Sequence, residues 1–389
     1  MQYEKTRPRR AFLAALILLF TVLGSAGSFA ISFPGIPAPP KLNVGSYALV
    51  DFATGETIAE FNADERAEPA SITKIMTAYV AAEALASGAI ALDDVTTVSE
   101  KAWRMEGSRM FIEVNKQITV DELLQGIVIQ SGNDASVALA EHISGSEGVF
   151  ASVMNQHAER LGMTDTSFAN STGLPDPATY STARDLSKLA VAFIHDYPEE
   201  YKRFAEKEFT YAGIRQHNRN RLLARDPSVD GFKTGHTEAA GYCLVSSALR
   251  GDMRLVAVVM GAESDSARTE ASQALLNYGF RFFESREIYA PGDTVATRKL
   301  WKGKQDSIDL TVAKPLFVTI PRGKYDAVVA SAEIAETLQA PLEKHAAVGQ
   351  LVLKLDDTVI ANAPLVTANA VAAGSIFSRA VDEVMMMFE

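Results

Sequence analysis

Residues 69–86 read Pro69-Ala-Ser-Ile-Thr-Lys-Ile-Met-Thr-Ala-Tyr-Val-Ala-Ala-Glu-Ala-Leu-Ala86. The apolar, alanine-rich run from Ile72 to Ala86 predicts a buried helix, with Ser71 at its start. A hydroxyl there is surrounded by unpaired helix N–H groups and the positive end of the helix dipole. Lys74 lies one turn on, on the same face. A serine hydroxyl is a poor nucleophile until a neighbouring base takes its proton. Lysine can be that base only when its pKa falls, and burial or a nearby cation pushes it down. Taken alone, this stretch equally fits an ordinary exposed helix start.

Outward from this helix the elements fall into runs. Upstream, Gly45–Asp51 and Thr57–Phe61 flank Ala53-Thr-Gly55 and predict a β-hairpin. Downstream, Val120–Ile143 has helical apolar spacing with a break at Ser131-Gly132-Asn133. Tyr242–Val245 and Leu255–Met260 read as neighbouring strands joined at Gly251-Asp252, and Ala267–Phe283 as a closing helix. Strands and helices segregate rather than alternate, so the fold class is α+β.

Two further short patterns stand beside Ser71-Ile-Thr-Lys74: Ser131-Gly-Asn133 and Lys233-Thr-Gly235. Singly they read as a helix cap and a surface turn. Together, in this order, S-x-x-K, S-x-N and K-T-G are the set used for acyl transfer through serine. Asn133 offers an amide able to hold both the lysine and a substrate peptide group. Ser131 can relay a proton to a leaving amine. Lys233, one candidate for the cation beside Lys74, and Thr234 would face an anionic substrate terminus. Gly235, ahead of the predicted Tyr242 strand, leaves room for a substrate backbone.

The chain has 389 residues, 47% hydrophobic and 22% charged, which argues for two globular domains. A net charge of −11 argues against nucleic acid as a partner. The lone Cys243 forms no internal disulfide and excludes a zinc site built on several cysteines. Residues 1–30 carry a basic start (Lys5, Arg7, Arg9, Arg10), an apolar run and the tripeptide Ser28-Phe29-Ala30, the layout of a signal peptide. The alternative is a retained membrane helix, but the apolar run is shorter than the roughly 20 residues a span needs. Either reading puts the body outside the cytoplasm. After Phe283, short β-type runs (294–297, 307–312, 316–320, 325–329 and 350–355) predict a small all-β domain over 284–368, without a catalytic cluster. Residues 369–389 end in an amphipathic helix. Its terminal position and apolar face predict an anchor lying in a membrane interface; its single Arg379 against Asp382, Glu383 and Glu389 leaves docking on protein as the alternative.

Longer stretches carry a resemblance. Residues 69–77 (PASITKIMT), 129–135 (IQSGNDA), 170–174 (NSTGL) and 230–237 (DGFKTGHT) make the chain similar, over nearly its whole length, to the low-molecular-mass penicillin-binding proteins that act as serine D-Ala-D-Ala carboxypeptidases. The resemblance implies a penicillin-binding/β-lactamase-like catalytic domain over 31–283, then the β domain and the terminal anchor. It implies that Ser71 attacks the carbonyl between two D-alanines of a peptidoglycan pentapeptide, with an oxyanion hole from the N–H groups of Ser71 and His236. Arg268 is implied as a holder of the terminal carboxylate, against an exposed helix residue as the alternative; for His236 the alternative is that only its backbone matters. β-Lactams would enter the same step as inhibitors. No metal or cofactor is required. The localisation implied is periplasmic and peripheral to the cytoplasmic membrane. The middle motif is Ser-Gly-Asn rather than Ser-Asp-Asn, and no Glu-x-x-Leu-Asn segment is present, which favours peptidase over β-lactamase. A D,D-endopeptidase and an idle wall-binding scaffold stand as further alternatives.

Overall fold

The computed structural model describes residues 33–388; the expected signal peptide at 1–30 lies outside them. A five-stranded antiparallel sheet forms the centre: β1 (Ser46–Asp51), β2 (Thr57–Phe61), β3 (Val229–Thr237), β4 (Gly241–Arg250) and β5 (Met253–Ala262), in the order β2-β1-β5-β4-β3. All six residues of β1 are buried. Ala48 and Val50 join one core and Tyr47 and Leu49 the other, so the strand's alternation feeds both faces.

The first core packs four helices: α1 (Lys74–Ala86), α2 (Asn133–Ser144), α3 (Glu147–Arg160) and α4 (Ala183–Asp196). The opposite face is covered by α5 (Asp265–Phe282), whose Leu275 and Leu276 are fully buried. Serine or threonine side chains cap α3, α4 and α5, with Ser146, Thr182 and Ser264 each accepting a first-turn N–H.

The second core continues without a break beyond α5. Strand β6 (Phe283–Tyr289) starts at the residue after the helix and pairs with β9 (Leu316–Pro321). A six-stranded sheet follows, from β7 (Ala296–Trp301), β8 (Ser307–Val312), β10 (Val328–Ile334), β11 (Leu338–Gln339), β12 (Ala347–Leu355) and β13 (Thr358–Thr367), in the order β10-β12-β13-β8-β7-β11. Leu310, Leu353 and Leu365 from this sheet share one apolar cluster with Leu49 and Leu275.

Some expectations shift. The Lys233 motif precedes the Tyr242 strand, now β4, as expected, but it also lies inside a strand of its own, β3, that was not expected. Ser71 sits on a 3₁₀ turn, Ala70–Thr73, and α1 begins at Lys74. The run expected at 325–329 opens as a 3₁₀ turn over Tyr325–Ala327 before β10. The terminal helix α6 (Ile376–Met385) buries none of its side chains. It is held by its polar side: Asp382 accepts the Lys302 N–H, and Glu383 pairs with the Lys302 ammonium. No helix of the described residues is long and apolar enough to cross a membrane.

Candidate active site

The three motifs meet at one cleft of about 610 Å³. Ser71 comes from the turn before α1, Ser131 from the end of the helical turn before α2, Asn133 from the first residue of α2, Thr234, Gly235 and His236 from β3, and Arg268 from α5. A larger cavity of about 800 Å³, lined by Phe52, Val191, Ala192, Pro315 and Phe317 among others, holds none of the motif residues.

Lys74 is the centre of the cleft floor. It is 1% exposed, and its Nζ stands 3.1 Å from Ser71 Oγ, 2.7 Å from Asn133 Oδ1 and 2.6 Å from the Thr172 carbonyl. Asn133 Nδ2 donates to the Glu106 carbonyl at 2.6 Å, which fixes which end of the amide faces the lysine. Asn133 Oδ1 and Thr172 O can only accept. The contact to Ser71 is different, because a hydroxyl can donate or accept. A charged Lys74 donates to all three. A neutral Lys74 donates to the two carbonyl oxygens and turns its lone pair to the Ser71 hydroxyl.

The surroundings favour the neutral form. Burial, and then the Arg219 guanidinium, lower the Lys74 pKa from 10.5 to about 7, against the carboxylates of Asp134 and Glu147, which raise it. Lys233 is 2% exposed and its Nζ donates to the Thr234 carbonyl at 3.1 Å. Burial, then Lys74, Arg219 and Arg268, push its pKa well down.

Backbone strain frames both serines. Ala70 has φ +47° and Ser131 φ +66°, left-handed conformations that L-residues other than Asn and Asp seldom adopt. Ser131 Oγ is buried with no hydrogen-bond partner among the described residues. A buried hydroxyl left unpaired is unfavourable, so a group entering the cleft gains by pairing with it. The Ala70 turn is clamped between two glycines. A Cβ on Gly235 would stand 2.9 Å from Pro69 O, and one on Gly173 only 1.8 Å from Ala70 O. The Gly235 space is therefore taken by the protein's own turn, not left for substrate alone.

Arg268 is 6% exposed, so it is not the exposed helix residue of the alternative reading. Its guanidinium donates to Gly235 O at 2.9 Å and Cys243 O at 3.2 Å, and pairs with Asp265. Asp265 also receives Arg221 at 2.6 Å. His236 is exposed, its ring against Tyr242 with centroids 4.0 Å apart. Sequence reasoning missed Arg219, an exposed residue on the cleft wall without an acidic partner among the described residues. It also missed the Thr172 carbonyl, although residues 170–174 had been singled out without a role. No group of three or more His, Cys, Asp or Glu suited to a metal ion occurs among the described residues.

The sequence model of a family described as D-alanyl-D-alanine carboxypeptidase matches residues 35–264, and that of the penicillin-binding protein 5 C-terminal domain matches residues 283–373. The chain is 42% identical to D-alanyl-D-alanine carboxypeptidase DacC of Escherichia coli over 395 residues, covering 100% of this chain and 97% of that protein. Among solved structures it is similar to penicillin-binding protein 5 from Haemophilus influenzae, with 41% identity, a TM-score of 0.83 and coverage of 86% of this chain and 99% of that one. It is also similar to penicillin-binding protein D2 from Listeria monocytogenes, solved in an ampicillin-bound form, with 28% identity, a TM-score of 0.58 and coverage of 63% and 100%.

Proposed function

The chain belongs to the D-alanyl-D-alanine carboxypeptidase family, and on that premise we propose that its serine peptidase chemistry runs through an acyl-enzyme on Ser71. The observation that carries this reading is the placement of a buried Lys74 between Ser71 Oγ and two fixed carbonyl oxygens. Neutral Lys74 takes the Ser71 proton as Oγ attacks the carbonyl carbon of the penultimate D-alanine. The N–H groups of Ser71 and His236 receive the charge that develops on the carbonyl oxygen, an interaction that exists only in the transition state. The bond to the terminal D-alanine breaks, and the departing nitrogen takes a proton passed from Lys74 through Ser131 Oγ. Water then attacks the ester, releasing the shortened peptide and returning the proton to Ser71.

Substrate binding falls to the other wall of the cleft. Lys233, Thr234 and Arg219 face the terminal carboxylate; Arg219 is a cation with no acidic partner among the described residues. Arg268, engaged with Gly235 O and Cys243 O, acts on the carboxylate mainly by fixing β3. A β-lactam presents its strained amide to the same oxygen.

The chain is further read as an exported protein. Residues 1–30 serve as signal peptide, 31–283 as catalytic domain, 284–368 as β domain, and 369–389 as an anchor on the outer face of the cytoplasmic membrane. Support for the anchor is the exposure of Ile376, Phe377 and Phe388, at 86%, 81% and 86%.

The test is labelling of the mature protein with a fluorescent penicillin beside Ser71→Ala. The parent is expected to label and the variant not to, with D-alanine released from a pentapeptide by the parent alone. Equal labelling of the two would remove Ser71 from the mechanism, and release only from cross-linked peptides would favour the endopeptidase.

A further inference from the structure

The buried carboxylate of Glu147 lies outside the three motifs and the cleft lining. It opens α3 and is 8% exposed. Its Oε1 accepts the Ser171 N–H at 3.1 Å and the Ser171 hydroxyl at 2.8 Å, and its Oε2 meets the Lys101 ammonium at 2.7 Å. Ser171 is the residue before Thr172, whose carbonyl stands 2.6 Å from Lys74 Nζ. The Ser171 carbonyl is itself held by Thr77 Oγ1 of α1 at 2.6 Å. A short run of backbone thus spans from the catalytic lysine to a carboxylate, with no slack at either end.

We infer that Glu147 is a positioning residue for acylation: through Ser171 it sets the Thr172 carbonyl against Lys74, with Lys101 as the counter-charge that sets how strongly its own charge acts. This role rests on the assignment of Lys74 as base. A carbonyl must be fixed to favour one lysine orientation, because a mobile acceptor lets the ammonium turn from the serine. Asn170 reinforces the same segment, its Oδ1 accepting the N–H groups of Thr172 at 3.1 Å and Gly173 at 2.7 Å. Glu147 differs from Asn170 in carrying charge. Its carboxylate stabilises the Lys74 cation, as does that of Asp134 on α2, while Arg219 opposes both; the buried Lys233 also faces Lys74, its own pKa pushed down by burial and then by Lys74. Asp134 is committed elsewhere, accepting the N–H groups of Met110, Phe111 and Ile112. Glu147 is the carboxylate with an adjustable partner.

The sign of each change follows. A neutral residue at 147 withdraws stabilisation from the Lys74 cation, so the lysine loses its proton at lower pH and the acid limb of acylation moves down. A neutral residue at 101 removes the cation that offsets Glu147, so the limb moves up. A merely structural role would slow both variants without opposite displacements.

The experiment measures the rate of fluorescent-penicillin acylation from pH 5 to 10 for the full chain, Glu147→Gln, Glu147→Ala and Lys101→Met, with thermal melts alongside. Glu147→Gln, which retains an acceptor for Ser171, is expected to stay within about threefold of the parent maximum and to shift the acid limb down by roughly half a pH unit. Lys101→Met is expected to shift it up. Glu147→Ala is expected to lose roughly tenfold or more in maximal rate, with Gln restoring most of it. If Glu147→Ala does not fold, the opposite shifts of the other two still decide. Limbs that stay fixed or move together would overturn the inference while leaving Ser71 and Lys74 in place. A parent left unlabelled at Ser71 would overturn the site assignment, and this inference with it.

Discussion

At the scale of single residues, the site depends on atoms that are absent as much as on those present. Gly173 holds φ +76°, and a Cβ there would fall 1.8 Å from Ala70 O and 2.7 Å from Thr73 Oγ1. Gly173→Ala is therefore strained twice, by roughly 1–2 kcal/mol from the left-handed backbone alone and further by displacing the turn that carries Ser71. We expect a lowered melting temperature and at least about a tenfold slower acylation by penicillin; a variant acylating at the parent rate would show that the turn can move without consequence. This glycine belongs to a stretch that drew notice in the sequence, yet its task was not legible there. Ser71, Lys74, Ser131, Asn133 and Lys233 drew notice because the proposed acyl transfer uses those side-chain types in short motifs of fixed internal spacing. The Thr172 carbonyl could not be read, since any residue supplies one. Arg219 was hidden for another reason: it lies far in sequence from the Ser71 and Ser131 motifs, and only the fold brings it to the same cleft as Ser71, a long-range event without a local pattern.

At the scale of elements, the hairpin β1–β2 and the helices α1, α2 and α5 were legible from periodicity and turn residues. Strand β3 was not. Its sequence, Val229-Asp-Gly-Phe-Lys-Thr-Gly-His-Thr237, mixes two glycines with charged residues and shows no clean alternation. Antiparallel pairing with β4 along its whole length, rather than intrinsic preference, makes it a strand. Strand β13 hid Asn362 and Pro364 within ten residues, and β6 follows α5 with no turn to announce it. The terminal helix was legible, but its partner was not. In α6 the apolar residues face outward while Asp382 and Glu383 grip Lys302. If this helix is the proposed anchor, its exposed apolar side is what would meet the membrane, and its acids would make the attraction apolar rather than ionic. Removal of residues 375–389 is accordingly expected to abolish co-sedimentation with phospholipid vesicles while leaving release of D-alanine from a soluble peptide unchanged. For the intact chain, binding should change little between low and high salt. Vesicle binding retained after truncation would refute the anchor, and strong salt sensitivity would replace the apolar contact with a charged one.

At the scale of the whole molecule, the catalytic sheet and the β domain are joined by polar contacts as well as by the shared apolar core, and one of these contacts is unfavourable. Asp51, the last residue of β1, is fully buried. Its Oδ1 accepts the Ala53 N–H at 2.8 Å and the Thr54 N–H at 3.4 Å, while Oδ2 has no hydrogen-bond partner among the described residues. Beside it, Thr54 Oγ1 meets Thr319 Oγ1 of β9 at 2.6 Å, so the carboxyl sits where β1 abuts β6 and β9. Burial raises its pKa more than the nearby Ser285 and Thr319 hydroxyls and the two N–H groups lower it, and the neighbouring Glu56 is raised by its own burial and then by Asp51. An acid whose folded pKa is raised favours folding fully below its unfolded value, and that contribution is lost as pH rises through the folded value. Once pH exceeds the folded value, the native protein holds a buried carboxylate with no cation paired to it among the described residues. Asp51→Asn keeps an acceptor for Ala53 and Thr54 and offers N–H donors toward Ser285 and Thr319, with no charge to bury. We expect it to melt above the parent at pH 7–8 by about 2–4 °C, the shift that about 1 kcal/mol makes in a domain of this size. The advantage should shrink as pH falls toward the unfolded carboxylate value, where the parent's Asp51 is protonated as well. A gain independent of pH would point to packing rather than charge. A loss at neutral pH would mean that the carboxylate finds a partner at the junction, and that charge there holds the two domains together.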